Sequence, residues 1–193
     1  MFASKATKIV DKAASHGLIS ESETREYSYG LELLLTIAVT DITVLLIGFL
    51  ADCFKGVLIF WIIYKALRKY VGGFHFDNTI ICYLSSCVLS VLCVLFVKYA
   101  GYNSMIYLTA MLISSGTMFA VSPVASKAKP LDEKEFSVFK VVARILVCLI
   151  LLIYLSSIKY DNCCLQKIIL YGCVCVTVFA LVGKAEEKFL KSN

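Results

Sequence analysis

The chain has 193 residues, of which 60% are hydrophobic and only 17% are charged. Soluble domains are closer to half apolar and a quarter charged, so this composition indicates an integral membrane protein. The net charge of +5 is spread over termini and loops and forms no basic stripe interleaved with aromatic residues, which argues against a nucleic-acid partner.

The N-terminal 19 residues lack the continuous apolar core of a signal peptide. Apolar residues recur there at helical spacing, with Lys5, Lys8 and Lys12 beside them. This pattern predicts an N-terminal helix that lies in the membrane interface, and a solvated lead-in helix is the alternative.

Six apolar runs follow, at 31–51, 56–64, 79–97, 104–121, 141–158 and 165–183. Five of them approach the ~20 residues that a helix needs to cross a bilayer. The run 56–64 is short, so it is either a tilted span extended by its flanks or a re-entrant half-span. We therefore predict an all-α, polytopic membrane protein, with a single domain over residues 1–193 and about six transmembrane segments.

The distribution of basic residues predicts the orientation. If both termini are cytoplasmic and all six runs cross, the inner segments and their helix ends hold 15 of the 19 Lys and Arg residues. This asymmetry agrees with the positive-inside rule and places residues 65–78 at the cytoplasmic face. The basic residues left on the outer side are Lys55, Lys98, Lys159 and Lys167.

Nine cysteines are present, and most lie within apolar runs, where a free Cys usually behaves as a small buried hydrophobe. The sequence has no CxxC pair with a matching second pair, so we do not expect a zinc site. Cys82 differs from the others because His75, one of only two His, lies seven residues before it and follows the pair Gly72-Gly73. A nucleophilic thiolate needs a nearby base and a positive local field, and this segment offers both.

A new helix is expected to begin at 77–79, because Asp77, Asn78 and Thr79 can each cap it. Cys82 then falls in or just after the first turn, where the helix dipole favours a thiolate. Residues seven apart on one helix lie ~10 Å apart along its axis, so His75 must fold back through a hinge at the glycine pair. The alternative is an interfacial His beside a Cys that only packs.

The segment from Arg68 to His75, followed by Cys82, resembles the signature of the accessory gene regulator protein B family. These are membrane endopeptidases that process autoinducing-peptide precursors in Gram-positive bacteria. Other stretches are similar to the family pattern as well: Tyr29-Gly30-Leu31-Glu32, Ser122-Pro123-Val124-Ala125 and Lys129-Pro130-Leu131.

The resemblance implies a mechanism. Cys82 attacks a peptide carbonyl near the C-terminal part of a small precursor, with His75 as general base, and forms an acyl-enzyme thioester. A Cys or Ser within the precursor then closes a thiolactone or lactone ring. The resemblance implies no cofactor or metal, and its partners are a precursor peptide with an amphipathic leader, the lipid bilayer and a second copy in a homodimer.

Further residues are candidates for substrate binding or support. Arg68 is expected to hold an acidic group of the precursor, with a positive-inside anchor as the alternative. Glu32 is expected to orient His75 or bind substrate, with an interfacial carboxylate as the alternative. The remaining supporting residues, at the hinge, the helix cap and the end of a later helix, are Gly72, Gly73, Asn78 and Pro123.

Asp41 lies in the middle of the first run, where ionisable groups are costly and often functional. We expect it to pair with Thr36 or with Tyr or Lys groups of another helix.

Two other function classes stay open. One is a small transporter that uses Asp41, although no paired broken helices support it. The other is a non-catalytic membrane scaffold for a sensor complex.

Overall fold

The computed structural model describes residues 2–74, 78–124 and 132–192. These ranges are all-α apart from short connections, and a 3-10 turn at Glu21–Glu23 precedes the second helix. The α-helices are α1 (Ala3–Ser15), α2 (Thr24–Leu50), α3 (Phe54–Val71), α4 (Thr79–Tyr99), α5 (Ser104–Val121), α6 (Glu133–Lys159) and α7 (Cys163–Ser192).

Five of these helices, α2 and α4 to α7, are long and apolar enough to cross a membrane. Their outward faces carry large apolar side chains, such as those of Leu84, Ile113 and Leu152. A helix suits this medium because all its backbone groups are hydrogen-bonded within the segment. The prediction of an all-α polytopic membrane protein is confirmed.

The short apolar run 56–64 belongs to α3, a continuous helix of 18 residues. Its flanks extend it to about 27 Å, close to the ~30 Å thickness of the hydrocarbon core. This favours the extended span over the re-entrant half-span. The helix is also central, because it packs against α2, α4, α6 and α7, and its Phe60, Leu67 and Val71 side chains are fully buried.

The N-terminal helix α1 packs on α2 through the buried side chains of Ala6 and Val10. The side chains of Lys5, Lys8 and Lys12 are exposed. The expected amphipathic helix is therefore present, and its location in the membrane interface stays a prediction.

Asp41 joins α2 to α3. Its two carboxylate oxygens accept hydrogen bonds from Lys65 Nζ at 2.9 and 2.8 Å, and Trp61 Nε1 donates to Oδ1 at 2.9 Å. The sequence predicted Thr36, or a Tyr or Lys of another helix, as the partner of Asp41. The partner is Lys65 of α3, whereas Thr36 donates a hydrogen bond to the carbonyl of Glu32. An ion pair within the membrane-crossing helices neutralises two charges that hydrocarbon would otherwise disfavour.

Candidate active site

The connection between α3 and α4 contains the predicted break at the glycine pair. Helix α3 ends at Val71, and Gly72 and Gly73 follow with φ angles of 77° and 121°. These left-handed values strongly favour glycine, because a Cβ atom would be strained there. His75 and Asp77, the predicted general base and one of the three predicted caps, lie outside the described residues.

The glycine pair is also required by close packing. A Cβ atom on Gly72 would overlap the backbone oxygen of Val124. A Cβ atom on Gly73 would lie 2.6 Å from Arg68 Nη1 and 2.6 Å from the backbone oxygen of Phe179. Any side chain at either position would therefore displace this loop from its neighbours.

Two distant parts of the chain hold the glycine loop. The backbone N–H of Phe74 donates to the carbonyl of Phe179 in α7 at 2.9 Å, and that of Val124 donates to the carbonyl of Val71 at 2.9 Å. Gly183 of α7 permits the approach, because a Cβ atom there would lie 2.5 Å from the Phe74 nitrogen. The loop is thus fixed against α7 and against the segment that follows α5.

Arg68, in the last turn of α3, binds the same loop through its guanidinium. Nη1 donates to the carbonyl of Gly72 at 3.0 Å, and Nη2 donates to the carbonyl of Phe74. The guanidinium also lies over the ring of Phe179, 4.6 Å from its centroid. The role of Arg68 in holding an acidic precursor group stays a prediction, and these contacts give it a second role in fixing the loop.

Asn78 caps the helix that carries Cys82. Its side-chain oxygen accepts a hydrogen bond from the Ile80 N–H at 2.8 Å, and its backbone oxygen accepts one from the Cys82 N–H at 3.1 Å. Cys82 therefore lies at the end of the first turn of α4, as the sequence predicts. The positive end of the helix dipole acts on a side chain at this position.

A cavity of about 100 Å³ opens beside the half-buried Cys82. It brings Cys82 together with Arg68, whose positive charge lies within electrostatic range of the thiol. The residues that line the cavity are Tyr64, Arg68, Phe74, Cys82, Ser85, Ser86 and Phe179.

Several of these lining residues were not identified from the sequence. Ser85 and Ser86 donate hydrogen bonds to the carbonyl of Cys82 at 2.8 and 3.0 Å. Both are polar residues one turn after Cys82 in an apolar run, and this position could have identified them as site residues. Tyr64 lies one turn before Arg68 on α3, and this position next to a candidate residue could have identified it as well. No such position identifies Phe179, because only the packing of α7 brings it to the site.

Other predicted site residues lie outside this cavity. Glu32 is half-buried on α2 and is not among the described residues that line the cavity, so its role beside His75 stays a prediction. Pro123 immediately precedes Val124, whose backbone meets the glycine loop. In the described part of the chain, no group of three or more His, Cys, Asp and Glu residues is arranged to hold a metal ion.

Comparisons with known proteins identify the family of the chain. The family model described as accessory gene regulator B matches residues 6–182. An AgrB-like protein of Clostridium perfringens (strain SM101) is 27% identical over 166 residues, which cover 81% of this chain and 78% of that protein. The accessory gene regulator protein B of Staphylococcus saprophyticus is 29% identical over 112 residues, which cover 58% of this chain and 57% of that protein.

No solved structure matches the chain. The family match nevertheless spans most of its length, and the five apolar helices make it a multi-pass membrane protein. Membership implies a role in the accessory gene regulator system of quorum sensing. The chain belongs to the accessory gene regulator B family.

Proposed function

We propose that the protein is a membrane cysteine endopeptidase that cleaves the C-terminal part of a small quorum-sensing peptide precursor. One observation carries the proposal: Cys82 lies at the first turn of α4, in a cavity shared with Arg68 and Phe74. Among the nine cysteines, Cys82 combines a helix start, a guanidinium in the same cavity and the loop that leads to His75.

In the proposed reaction, His75 takes the proton of the Cys82 thiol, and the thiolate attacks the scissile carbonyl. The tetrahedral intermediate then collapses to a thioester, and the leaving amine takes the proton from His75. The positive end of α4 and the Arg68 guanidinium would stabilise the negative oxygen of the intermediate.

The assignment of His75 as the base is supported by its neighbours in sequence. Phe74 lines the cavity with Cys82, and adjacent Cα atoms along a chain are about 3.8 Å apart. On the other side, Asn78 caps the helix of Cys82. His75 therefore belongs to a short connection between Phe74, which lines the cavity, and Asn78, which caps the helix of Cys82.

The thioester also explains ring closure. A Cys or Ser within the precursor gives its proton to His75 and attacks the thioester carbonyl. The Cys82 sulfur then leaves and takes the proton from His75, and a thiolactone or lactone ring forms. The aromatic walls of Phe74 and Phe179 would limit the access of water, which would otherwise hydrolyse the acyl-enzyme. The chemistry uses only side chains of the protein and groups of the precursor.

We also propose that the site faces the cytoplasm of the cell membrane, with both termini inside, and that the enzyme acts as a homodimer on a precursor with an amphipathic leader. The support for the orientation is the excess of Lys and Arg in the inner segments. A Cys introduced at Lys134 should increase labelling by a membrane-impermeant maleimide, relative to the wild type, only after the membrane is opened. A Cys introduced at Tyr160 should increase this labelling in intact cells. The reverse pattern would overturn the orientation.

Cleavage of a co-expressed precursor tests the proposed activity. The precursor is a short peptide with an amphipathic leader, an internal Cys or Ser and an acidic tail. Cys82→Ala should abolish cleavage, whereas Cys87→Ala, a matched change further along α4, should retain it at equal membrane expression. Full cleavage by Cys82→Ala would exclude the mechanism and return the choice to a transporter or a scaffold.

The transporter alternative depended on Asp41. Its carboxylate is paired with Lys65 and accepts a further hydrogen bond from Trp61. These contacts favour a structural role, so they support the peptidase over the transporter.

A further inference from the structure

A second group of thiols lies at the other end of the bundle from Cys82. Cys53 is the N-cap of α3, in the turn that follows α2, and Cys164 lies in the first turn of α7. Both thiols are free, and both line one open cavity of about 710 Å³, together with Asp52 and Lys55.

The packing of Gly56 shows how close Cys53 comes to α7. A Cβ atom on Gly56 would lie 2.9 Å from Cys53 Sγ and 3.4 Å from Ile168 Cδ1. Cys164 and Ile168 are four residues apart on α7 and therefore share a helix face. The sulfur of Cys53 thus lies beside the face of α7 that carries Cys164 one turn nearer the helix start.

The electrostatics of Cys53 reflect this proximity. Burial raises the pKa of the Cys53 thiol, and the charge of Cys164 raises it further, while Lys98 lowers it. The two cysteines are therefore within electrostatic range of each other. They differ in exposure, because Cys164 is exposed and Cys53 is half-buried.

We propose that Cys53 and Cys164 form a reversible intramolecular disulfide that ties the turn between α2 and α3 to the start of α7. This site is separate from the proposed peptidase site and does not depend on its activity. Its redox partner is a small-molecule or protein disulfide that reaches this end of the bundle.

The exchange proceeds in two balanced steps. The thiolate of Cys164 attacks one sulfur of the external disulfide, a mixed disulfide forms, and the first thiolate of the oxidant leaves. The thiolate of Cys53 then attacks the Cys164 sulfur and expels the second thiolate. The two protons of the protein thiols pass to the two thiolates, so the protein is oxidised and the external disulfide is reduced.

Two other cysteines lie near the proposed pair and serve as comparisons. Cys93 is within electrostatic range of both Cys53 and Cys164, but it is fully buried and an external oxidant does not reach it directly. Cys163 is exposed next to Cys164, but successive residues point about 100° apart on a helix, and Cys163 does not line the cavity. Cys163→Ser is therefore the matched control for Cys164→Ser.

Mass spectrometry of the full-length protein in detergent tests the pairing. The protein is treated with oxidised glutathione, remaining thiols are blocked with iodoacetamide, and the chain is digested without reductant. A peptide containing Cys53 should be joined to one containing Cys164 in the wild type and in Cys163→Ser. In Cys164→Ser, Cys53 should be recovered alkylated. Alkylated Cys53 in the oxidised wild type, or a link from Cys53 to Cys93, would overturn the proposal.

Thermal unfolding gives a second readout, which does not depend on peptide recovery. The disulfide closes a long loop and restricts the unfolded chain, so oxidation should raise the Tm of the wild type and Cys163→Ser by several degrees. The Tm of Cys164→Ser should not change on oxidation. A linked peptide with a lowered Tm would mean that the bond forms only at the expense of the native packing, which would also overturn the proposal.

Discussion

The guanidinium of Arg68 donates a hydrogen bond to the backbone carbonyl of Phe74, the residue that precedes His75. The backbone N–H of Phe74 in turn donates to the carbonyl of Phe179 at 2.9 Å. Both backbone groups of Phe74 are therefore held, one by α3 and the other by α7. This relationship places a positioning residue next to the proposed base.

Replacement of Arg68 by Lys should keep membrane insertion but lower the rate of precursor cleavage. An ammonium cannot reproduce the planar fork that binds the carbonyls of Gly72 and Phe74. Loss of one hydrogen bond from a charged group weakens the arrangement by about 1.5–3 kcal/mol, which corresponds to a rate loss of roughly tenfold or more.

The same variant separates the two roles of Arg68. Cleavage is measured with a precursor that has an acidic tail and with one whose tail is neutralised by Glu→Gln and Asp→Asn changes. If Arg68 acts only by fixing the loop through its two Nη atoms, the factor of loss should be the same with both precursors. A defect that weakens with the neutral tail would instead support direct binding of the tail by Arg68.

Substitution of Gly73 by Ala should destabilise the glycine loop and reduce cleavage strongly. The backbone of Gly73 has a φ of 121°, and an added Cβ atom would lie 2.6 Å from Arg68 Nη1. Gly116→Ala is the control, because Gly116 lies in α5 with no atom within 4 Å of an added Cβ. That change should be neutral or stabilise the helix by up to about 1 kcal/mol. Equal cleavage by the two variants, at equal expression, would contradict the packing argument.

Two helix caps provide a matched pair of variants. Asn78 caps α4, and Asn103 caps α5 by accepting hydrogen bonds from the N–H groups of Met105 and Ile106. Asn78→Ala and Asn103→Ala should each destabilise the protein by about 1 kcal/mol, as measured by thermal unfolding. Only Asn78→Ala should also lower the cleavage rate, because α4 carries Cys82. Similar losses of cleavage in both variants would show that the effect is general instability.

The ion pair between Asp41 and Lys65 should stabilise the contact of α2 with α3. Either Asp41→Ala or Lys65→Met alone leaves an unpaired charge at the contact of α2 with α3. Because both side chains are partly exposed, we expect each single change to destabilise by about 1–2 kcal/mol, below the value for a fully buried pair. The double variant should lose less than the sum of the two, as measured by unfolding in one detergent. Strict additivity would mean that the pair contributes no coupling.

Local sequence features predicted much of the site. The apolar run 104–121 has the bounds of α5, and Asn78 was one of three residues expected to cap α4. Helix formation and capping depend on neighbouring residues, and a membrane-crossing segment must satisfy its own backbone hydrogen bonds. The run 56–64 was shorter than α3, because Lys65 ends the apolar pattern although the helix continues, and its partner Asp41 lies on α2.

By itself, the sequence determined that the chain forms membrane-crossing helices and that Cys82 lies near the start of one of them, because hydropathy and capping are local properties. The tertiary structure decided which residues surround Cys82. Phe179 and Gly183 of α7 and Val124 after α5 meet the glycine loop only because the helices pack closely where side chains are absent. These contacts depend on how the surfaces of segments far apart in sequence fit together, so they cannot be predicted from the residue pattern of any one segment.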